Sequence, residues 1–309
     1  MTDLRDAAPL TYVSQFQETL TTVPRDISEI LSAYSNIPKE EQAAHILRLR
    51  DKAFTRFPYP CIGNLRFLYL QLASHRSYQD HVLSPLKEPS LNGEPEPLFL
   101  DLGSCFGQDV RKLAFDGALV HRLWASDIEP ELIDLGFQMF NDADKLPRSH
   151  FLCPGNLLAD SPDDRLKALD DKVTILHMTA VFHLFTLEEQ KRVAHRCLQL
   201  LRKSFVKPVL ILGGQAGSIT ARDAQRQNVT QEYSHKYRHN ERSWQELWSD
   251  VCGKPEWKDK IKSLKVESKL FRRIVVDEAK GSIIFKELDD DHNDGQMLWH
   301  MFEVWITFT

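Results

Sequence analysis

Leu98-Phe99-Leu100-Asp101-Leu102-Gly103-Ser104-Cys105-Phe106-Gly107-Gln108-Asp109 is the stretch on which the fold turns. A short apolar run ends in an acidic residue, small residues follow, and a helical pattern begins. Gly103 permits a tight turn and the close approach of a ligand to bare backbone, and Gly107 lets the helix open against the strand. Outward from this stretch, short apolar runs recur at residues 123–125, 150–152, 173–176 and 209–212. Runs without polar alternation suit strands buried on both faces of a parallel sheet. Helix signals sit between them. Val110, Leu113 and Ala114 precede a C-capping Gly117, and Pro130 stands at a first helical position before Leu132, Ile133, Phe137 and Phe140. Thr186-Leu187-Glu188-Glu189 is a capping box ahead of Val193, Ala194, Cys197 and Leu201. Five strands joined by helical crossovers predict a doubly wound α/β domain.

The two ends of the chain differ from this middle. Residues 298–308, rich in Trp, Phe, Val and Ile, predict a long last strand. Residues 271–276 and 283–285 are further strand candidates, with a polar turn at 289–295. The expectation is an antiparallel edge on an otherwise parallel sheet. Before the sheet, Leu65, Leu68, Tyr69 and Leu72 fall at helical spacing, and Ile46, Leu49 and Ala53 make a weaker stripe. Pro58 and Pro60 break the two, and Pro85, Pro89, Pro95 and Pro97 mark a linker. The domain organisation expected is a helical cap with its linker over residues 1–97 and the α/β core over 98–309.

Composition excludes several classes of function. The 309 residues carry 39 Lys plus Arg against 44 Asp plus Glu, a net charge of −5. A general nucleic-acid binder is normally basic. At 42% hydrophobic residues the chain can bury a core, which excludes disorder. No apolar run approaches the ~20 residues of a membrane span, and the N-terminus lacks a signal-peptide pattern. Five widely spaced cysteines without C-x-x-C fit free thiols in a reducing, cytoplasmic setting. A calcium loop at 289–295 is excluded because its glycine falls one place late. The eight Lys and Arg in 254–273 read as a solvated face.

The second informative piece is Ser126-Asp127, closing the second apolar run 24 positions after Gly103. A carboxylate there can accept hydrogen bonds from both hydroxyls of a ribose. A dinucleotide site would want a third glycine at position 108, where Gln108 stands, and Asp101 would repel a pyrophosphate. A cationic ligand tail suits Asp101 instead. S-adenosyl-L-methionine offers the ribose, the ammonium and the sulfonium together. The loop follows the D/E-x-G-x-G-x-G pattern of class I methyltransferases, a Rossmann-like fold, with Cys105 at the middle glycine. The expected cofactor contacts are Asp101, Gly103, Ser104, Cys105, Gly107, Gln108, Asp127 and Ile128. Asn156 and Leu157 join them after the third strand, against the adenine. Cys105 is read as packing on the cofactor and not as a nucleophile, since no base is evident beside it.

The loop from Asp101 to Leu113 resembles that of fungal class I methyltransferases of meroterpenoid and related secondary-metabolite pathways, of the austinol-pathway carboxyl methyltransferase type. The same resemblance runs through Tyr59-Pro60-Cys61-Ile62-Gly63, Ser126-Asp127-Ile128-Glu129-Pro130, Phe182-His183-Leu184-Phe185-Thr186 and Gly213-Gly214-Gln215-Ala216-Gly217. It implies methyl transfer from S-adenosylmethionine to a small terpenoid or polyketide, with a carboxylate as the first expected acceptor and a phenol or enol as the alternative. An NAD(P)-dependent oxidoreductase and a non-catalytic adenosylmethionine-binding protein are the competing classes.

His183, Gln215 and His239 are the candidate catalytic residues: His183 flanks the end of the fourth strand, which in this fold faces the transferred methyl, Gln215 follows the fifth strand and could reach the substrate pocket, and His239 lies in the excursion between the fifth strand and the tail. Imidazole titrates near ~6.5, so a histidine there can orient an oxygen or take its proton. His177 is read as structural. His235 and His239 are spaced i, i+4 in an expected helical excursion, but without a third ligand no metal is expected. A homodimer is left open.

Overall fold

The computed structural model describes residues 16–89, 95–159, 161, 164–227, 233–277, 282–288 and 298–309. Four of the apolar runs become short parallel strands: β1 (Phe99–Leu102), β2 (Leu123–Ser126), β3 (Phe151–Leu152) and β4 (Ile175–Thr179). The fifth, β5 (Val209–Gly217), is buried along its whole length. A two-stranded hairpin follows, β6 (Arg222–Gln227) with β7 (Tyr233–Arg238). Then come β8 (Ile261–Asp277), β9 (Ser282–Glu287) and β10 (Leu298–Phe308). The main sheet has the order β3-β2-β1-β4-β5-β10-β8-β9. β1 to β5 run parallel, and β10 returns antiparallel beside β5. Strand order reverses between β1 and β4, so their carboxyl ends form the crevice where α/β sheets bind ligands.

The longer helices are α1 (Lys39–Arg56), α2 (Gln108–Phe115), α3 (Pro130–Phe140), α4 (Leu187–Leu200) and α5 (Glu241–Cys252). α4 starts on the expected capping box, and α3 on Pro130. One sheet face is covered by α4 and α5, where Trp244, Trp248, Phe182 and Phe302 pack among the strand residues. The other face carries α2, α3 and the segment around Leu72 to Leu86. The N-terminal segment buries Ile27, Ile30, Leu49 and Leu68 against Phe106, Leu132, Met139 and Phe140. No helix among the described residues is long and apolar enough to cross a membrane.

Three expectations are corrected. Leu65 to Leu72 do not form a helix: Leu65 takes a left-handed backbone (φ 56°) after the single turn Pro60–Gly63, so helical propagation stops. Leu65, Leu68 and Leu72 are buried nonetheless, and their spacing reported burial. β10 is not an edge, since β8 and β9 add outside it. The basic stretch 254–273 is largely strand β8, with Lys254, Lys258, Lys260, Lys262, Lys265 and Lys269 exposed, as the expected solvated face requires. The excursion before α5 is the β6–β7 hairpin, so His235 lies on a strand and His239 just beyond it, which removes the helical i, i+4 pairing. The polar turn at 289–295 lies outside the described residues.

Candidate active site

The crevice at the ends of β1 and β4 is built by the loop 103–107. Gly103 is exposed at φ 73°, and a Cβ there would stand 2.5 Å from Val181 Cγ2. Cys105 also lies in the left-handed region (φ 54°), the backbone seat that the third residue of the glycine pattern requires. The amides of Gly103 and Ser104 both donate to Ser126 O, which fastens the loop to the end of β2. Burial, followed by the neighbouring Cys61 and Asp127, pushes the Cys105 thiol well above its ordinary value. A protonated thiol is a poor nucleophile, in keeping with a packing role.

Asp127 ends β2 beside this loop. Its Oδ2 accepts from the Cys105 amide (2.8 Å) and its Oδ1 from the Glu129 amide (3.0 Å). Burial raises its pKa to about 6 even so. The carboxylate is thus aimed by backbone, with lone pairs remaining for hydroxyl donors. Ile128, next to it, is 51% exposed, an apolar surface of the kind an adenine ring covers. Asn156 is exposed after β3, with its Oδ1 accepting from the Leu158 amide, and Leu157 is buried. Backbone hydrogen bonds thus bring Gly103, Ser104 and Cys105 together with the end of β2 and Asp127, while Leu157 packs in the core between β-strands and α4.

Asp101 is buried at 2% exposure. Its Oδ1 accepts from His177 Nδ1 at 2.8 Å, and its Oδ2 has no partner among the described residues. Ser104 Oγ is likewise buried and unpartnered among them. Orphaned buried acceptors are costly, so they point to a missing donor. An ammonium would satisfy both, which is the fit that S-adenosylmethionine requires. His177 Nε2 lies 2.8 Å from Thr179 Oγ1. Asp109, on the first turn of α2, accepts from the Leu72 amide and from Gln108 Nε2. Asp101, Asp109 and His177 bring ligand atoms to within 4.8 Å of one another, a grouping that could hold a cation. Both His177 nitrogens are already engaged, so the group reads as a hydrogen-bond network. Sequence reasoning took His177 as structural and missed Thr179, because nothing local shows that two neighbouring strands place them in line.

Of the candidate catalytic residues, Gln215 is 1% exposed near the end of β5, and neither amide atom has a partner among the described residues. His300 stands directly opposite on β10, 0% exposed, with both ring nitrogens unpartnered among them. His300 was missed; its one signal is an imidazole inside the apolar run Leu298-Trp299-His300-Met301-Phe302. Burial lowers it to about 3, so it is neutral. Trp244 packs its ring 5.7 Å from His300. His183 is half-buried on the turn Phe182–Leu184 after β4. His239 is a correction: Nδ1 lies 2.8 Å from Ser243 Oγ and Nε2 2.9 Å from Gln190 Oε1, at 1% exposure. It ties β7 to α4 and α5, with no nitrogen left for a substrate.

A small chamber between Gln71, Leu72 and His75 on one side and Thr179, Gly214, Trp299 and Met301 on the other adjoins His177. A larger open groove of about 560 Å³ runs past Arg76, Asp80, Lys265 and Trp305 near Pro208, at the amino end of β5 and away from the crevice.

Residues 15–68 match the meroterpenoid methyltransferase N-terminal domain. The chain is 32% identical over 255 residues to the O-methyltransferase phiE of a fungal species, covering 81% of this chain and 80% of that protein. It is 33% identical over 237 residues to the methyltransferase trt5 of Aspergillus terreus, covering 76% and 79%. It is 36% identical over 182 residues to the asnovolin E/chermesin D methyltransferase nvfJ of Aspergillus novofumigatus, covering 59% and 62%.

Proposed function

The chain belongs to the fungal meroterpenoid methyltransferases, S-adenosylmethionine-dependent enzymes of secondary metabolism, and within that family we propose that it methyl-esterifies the carboxylate of a small apolar terpenoid or polyketide acid. When bound, the cofactor supplies an electrophilic methyl group on a sulfonium. Asp127 holds the ribose hydroxyls, Ile128 and Leu157 flank the adenine, and Asn156 reaches its edge. Asp101 Oδ2 and Ser104 Oγ receive the ammonium, and Gly103 gives the ligand room against bare backbone.

The observation that carries the acceptor assignment is the buried pair Gln215 and His300. Both side chains are neutral and unpartnered among the described residues, and both face one side of the sheet. They can donate to a carboxylate and fix its direction. An imidazole held at about 3 is too weak to deprotonate a phenol of pKa near ~10. A carboxylic acid, at roughly 4, is already ionised and needs only alignment. Positioning of this kind can supply about 7–11 kcal/mol. Trp244 and Phe302 beside the pair suit an apolar skeleton. Among the relatives, nvfJ is named for the meroterpenoids asnovolin E and chermesin D, which supports a substrate of that class. Residues up to 97 act in this reading as the cap, because Gln71, Leu72 and His75 close the chamber beside Thr179.

The test is incubation with methyl-labelled S-adenosylmethionine and a panel of prenylated aromatic acids and phenols. Label in base-labile esters supports the reading, and label confined to stable ethers overturns it. Asp127→Ala should lower S-adenosylhomocysteine affinity by at least tenfold in calorimetry, in line with the ~1.5–3 kcal/mol of a charge-assisted hydrogen bond. Unchanged affinity would remove Asp127 from the cofactor site.

A further inference from the structure

The hydrogen-bond chain Asp101–His177–Thr179 has a direction that protonation sets. A carboxylate only accepts, so Nδ1–H of His177 donates to Asp101 Oδ1 whatever the charge on the ring. The outcome at Nε2 is what differs. If Nε2 is bare, the Thr179 hydroxyl donates to it and turns its lone pairs outward. If Nε2 carries a proton, Thr179 Oγ1 accepts it and the hydroxyl hydrogen must point away from the ring. Thr179 is half-buried and lines the small chamber together with Gln71, His75, Gly214 and Trp299. The outward hydrogen therefore points toward the crevice at the end of β4.

We propose that Asp101 and His177 act as positioning residues that present the Thr179 hydroxyl as a hydrogen-bond donor to a carboxylate oxygen bound at the end of β4. The inference rests on the cofactor and acceptor reading above, which offers two carboxylates: that of the cofactor's amino-acid end and that of the substrate. The groups facing His177 are Asp101 from β1, Asp109 from α2, Thr179 on its own strand and the nearby His75. Burial opposes a charged ring, but Asp101 and then Asp109 outweigh it and hold His177 above its ordinary value. Burial keeps His75 neutral, at about 4. With Nε2 of His177 protonated, which the two carboxylates beside the ring favour, an anion at Thr179 would meet a hydrogen-bond donor, while Asp101 Oδ2 stays available for a cation. The crevice would thus read an ammonium and a carboxylate with two ends of one chain.

The experiment has three arms. First, ¹⁵N-histidine spectra of the whole protein, with His177 assigned by its loss in His177→Gln, should show both ring nitrogens protonated near pH ~7. A bare Nε2 at that pH overturns the proposal without any variant having to function. Second, calorimetry compares Thr179→Val and Thr179→Ser for S-adenosylhomocysteine and its decarboxylated analogue. A loss of roughly tenfold or more in Thr179→Val, absent for the analogue and restored by Thr179→Ser, places the cofactor's carboxylate at Thr179. Third, kinetics with the aromatic-acid panel apply if cofactor affinity is unchanged. A KM for the acid raised about tenfold, with kcat little altered, places the acceptor's carboxylate there and overturns its assignment to Gln215 and His300, which face the other side of the sheet. Thr179→Val that changes neither quantity overturns the proposal. Failure of the ester reading shows separately, as ether products from the wild-type protein.

Discussion

Asp101 shows how one side chain can serve two demands: Oδ1 is spent on His177, and Oδ2 is left without a partner among the described residues. Gln215 and His300 carry the same cost further, each fully buried with its side-chain polar atoms unpartnered among the described residues. Such groups destabilise the fold by about 1–3 kcal/mol each, which sites accept in exchange for binding. Gln215→Met keeps the volume and removes the orphaned amide. It should raise the denaturant midpoint, with about 1 kcal/mol or more of added stability, while acceptor KM rises at least tenfold. A variant that is more stable and equally active would exclude Gln215 from the substrate site. The positions of Asp127 at the end of β2 and of the glycines in the loop were legible in the sequence because they depend on local backbone. Thr179 and His300 were not, because their roles arise from neighbours on adjacent strands.

At the scale of elements, the cofactor loop is held from behind by a buried ion pair. Arg111 of α2 donates to both oxygens of Asp142 (2.8 and 3.0 Å) and through Nη1 to Phe106 O (2.7 Å). Both charged side chains are 0% exposed, and Tyr34 OH also donates to Asp142. One pair therefore joins α2, the loop, the end of α3 and the N-terminal segment. Removing one partner strands the other, so Asp142→Ala should cost about 3–5 kcal/mol by denaturant unfolding. α3 approaches the loop closely at Gly136, where a Cβ would lie 2.3 Å from Phe106 O. Gly136→Ala improves helix propensity but should still lower stability, and weaken S-adenosylhomocysteine binding in calorimetry by shifting the loop. A stabilised variant with normal binding would contradict that packing. The capping box of α4 and Pro130 of α3 were legible, because capping is decided within a single turn. The helix expected at 65–72 was not formed, because the spacing that buries Leu65, Leu68 and Leu72 is also met by turns lying on α3.

At the scale of the whole molecule, burial of neutral histidines sets the response to acid. His75 and His239 are lowered to about 4 and His300 to about 3, burial being the leading cause in each. In the unfolded chain they titrate near ~6.5, so below that pH the unfolded state binds protons that the fold refuses. Their contribution is complete above ~6.5 and is lost as pH falls toward the folded values. Three such groups give a slope of up to about 4 kcal/mol per pH unit. Glu303 adds to this further down: burial disfavours its charge, but Arg76, Ser77 and His75 hold its pKa at about 2. Its share is lost between the ordinary carboxylate range and that value. His177 runs the other way, its raised pKa giving stability that fades as pH rises. Asp109 and Asp127, raised by burial to about 6, bind protons in the fold over the same range and offset part of this slope. Urea midpoints should therefore fall from pH ~6.5 to ~5 less steeply than the histidines alone would give, and a midpoint that rises over that range would contradict the burial of these rings.

The sequence by itself determined the parallel core, the strand–turn–helix of the glycine loop and the family, because strand–turn–helix signals and capping act over a few neighbouring residues. It also carried the final long strand, through its unbroken run of apolar and aromatic residues. Only the tertiary structure decided that β10 lies inside the sheet, that residues 222–227 pair antiparallel with 233–238, and that the N-terminal segment packs on α3 and Phe106. It also decided that His239 is bound to Gln190 while His177 lines up between Asp101 and Thr179. Those outcomes depend on side chains 49 and 76 positions apart meeting in a dry interior. Hydrogen bonding there is set by which strands become neighbours, a choice that residues close in sequence do not encode.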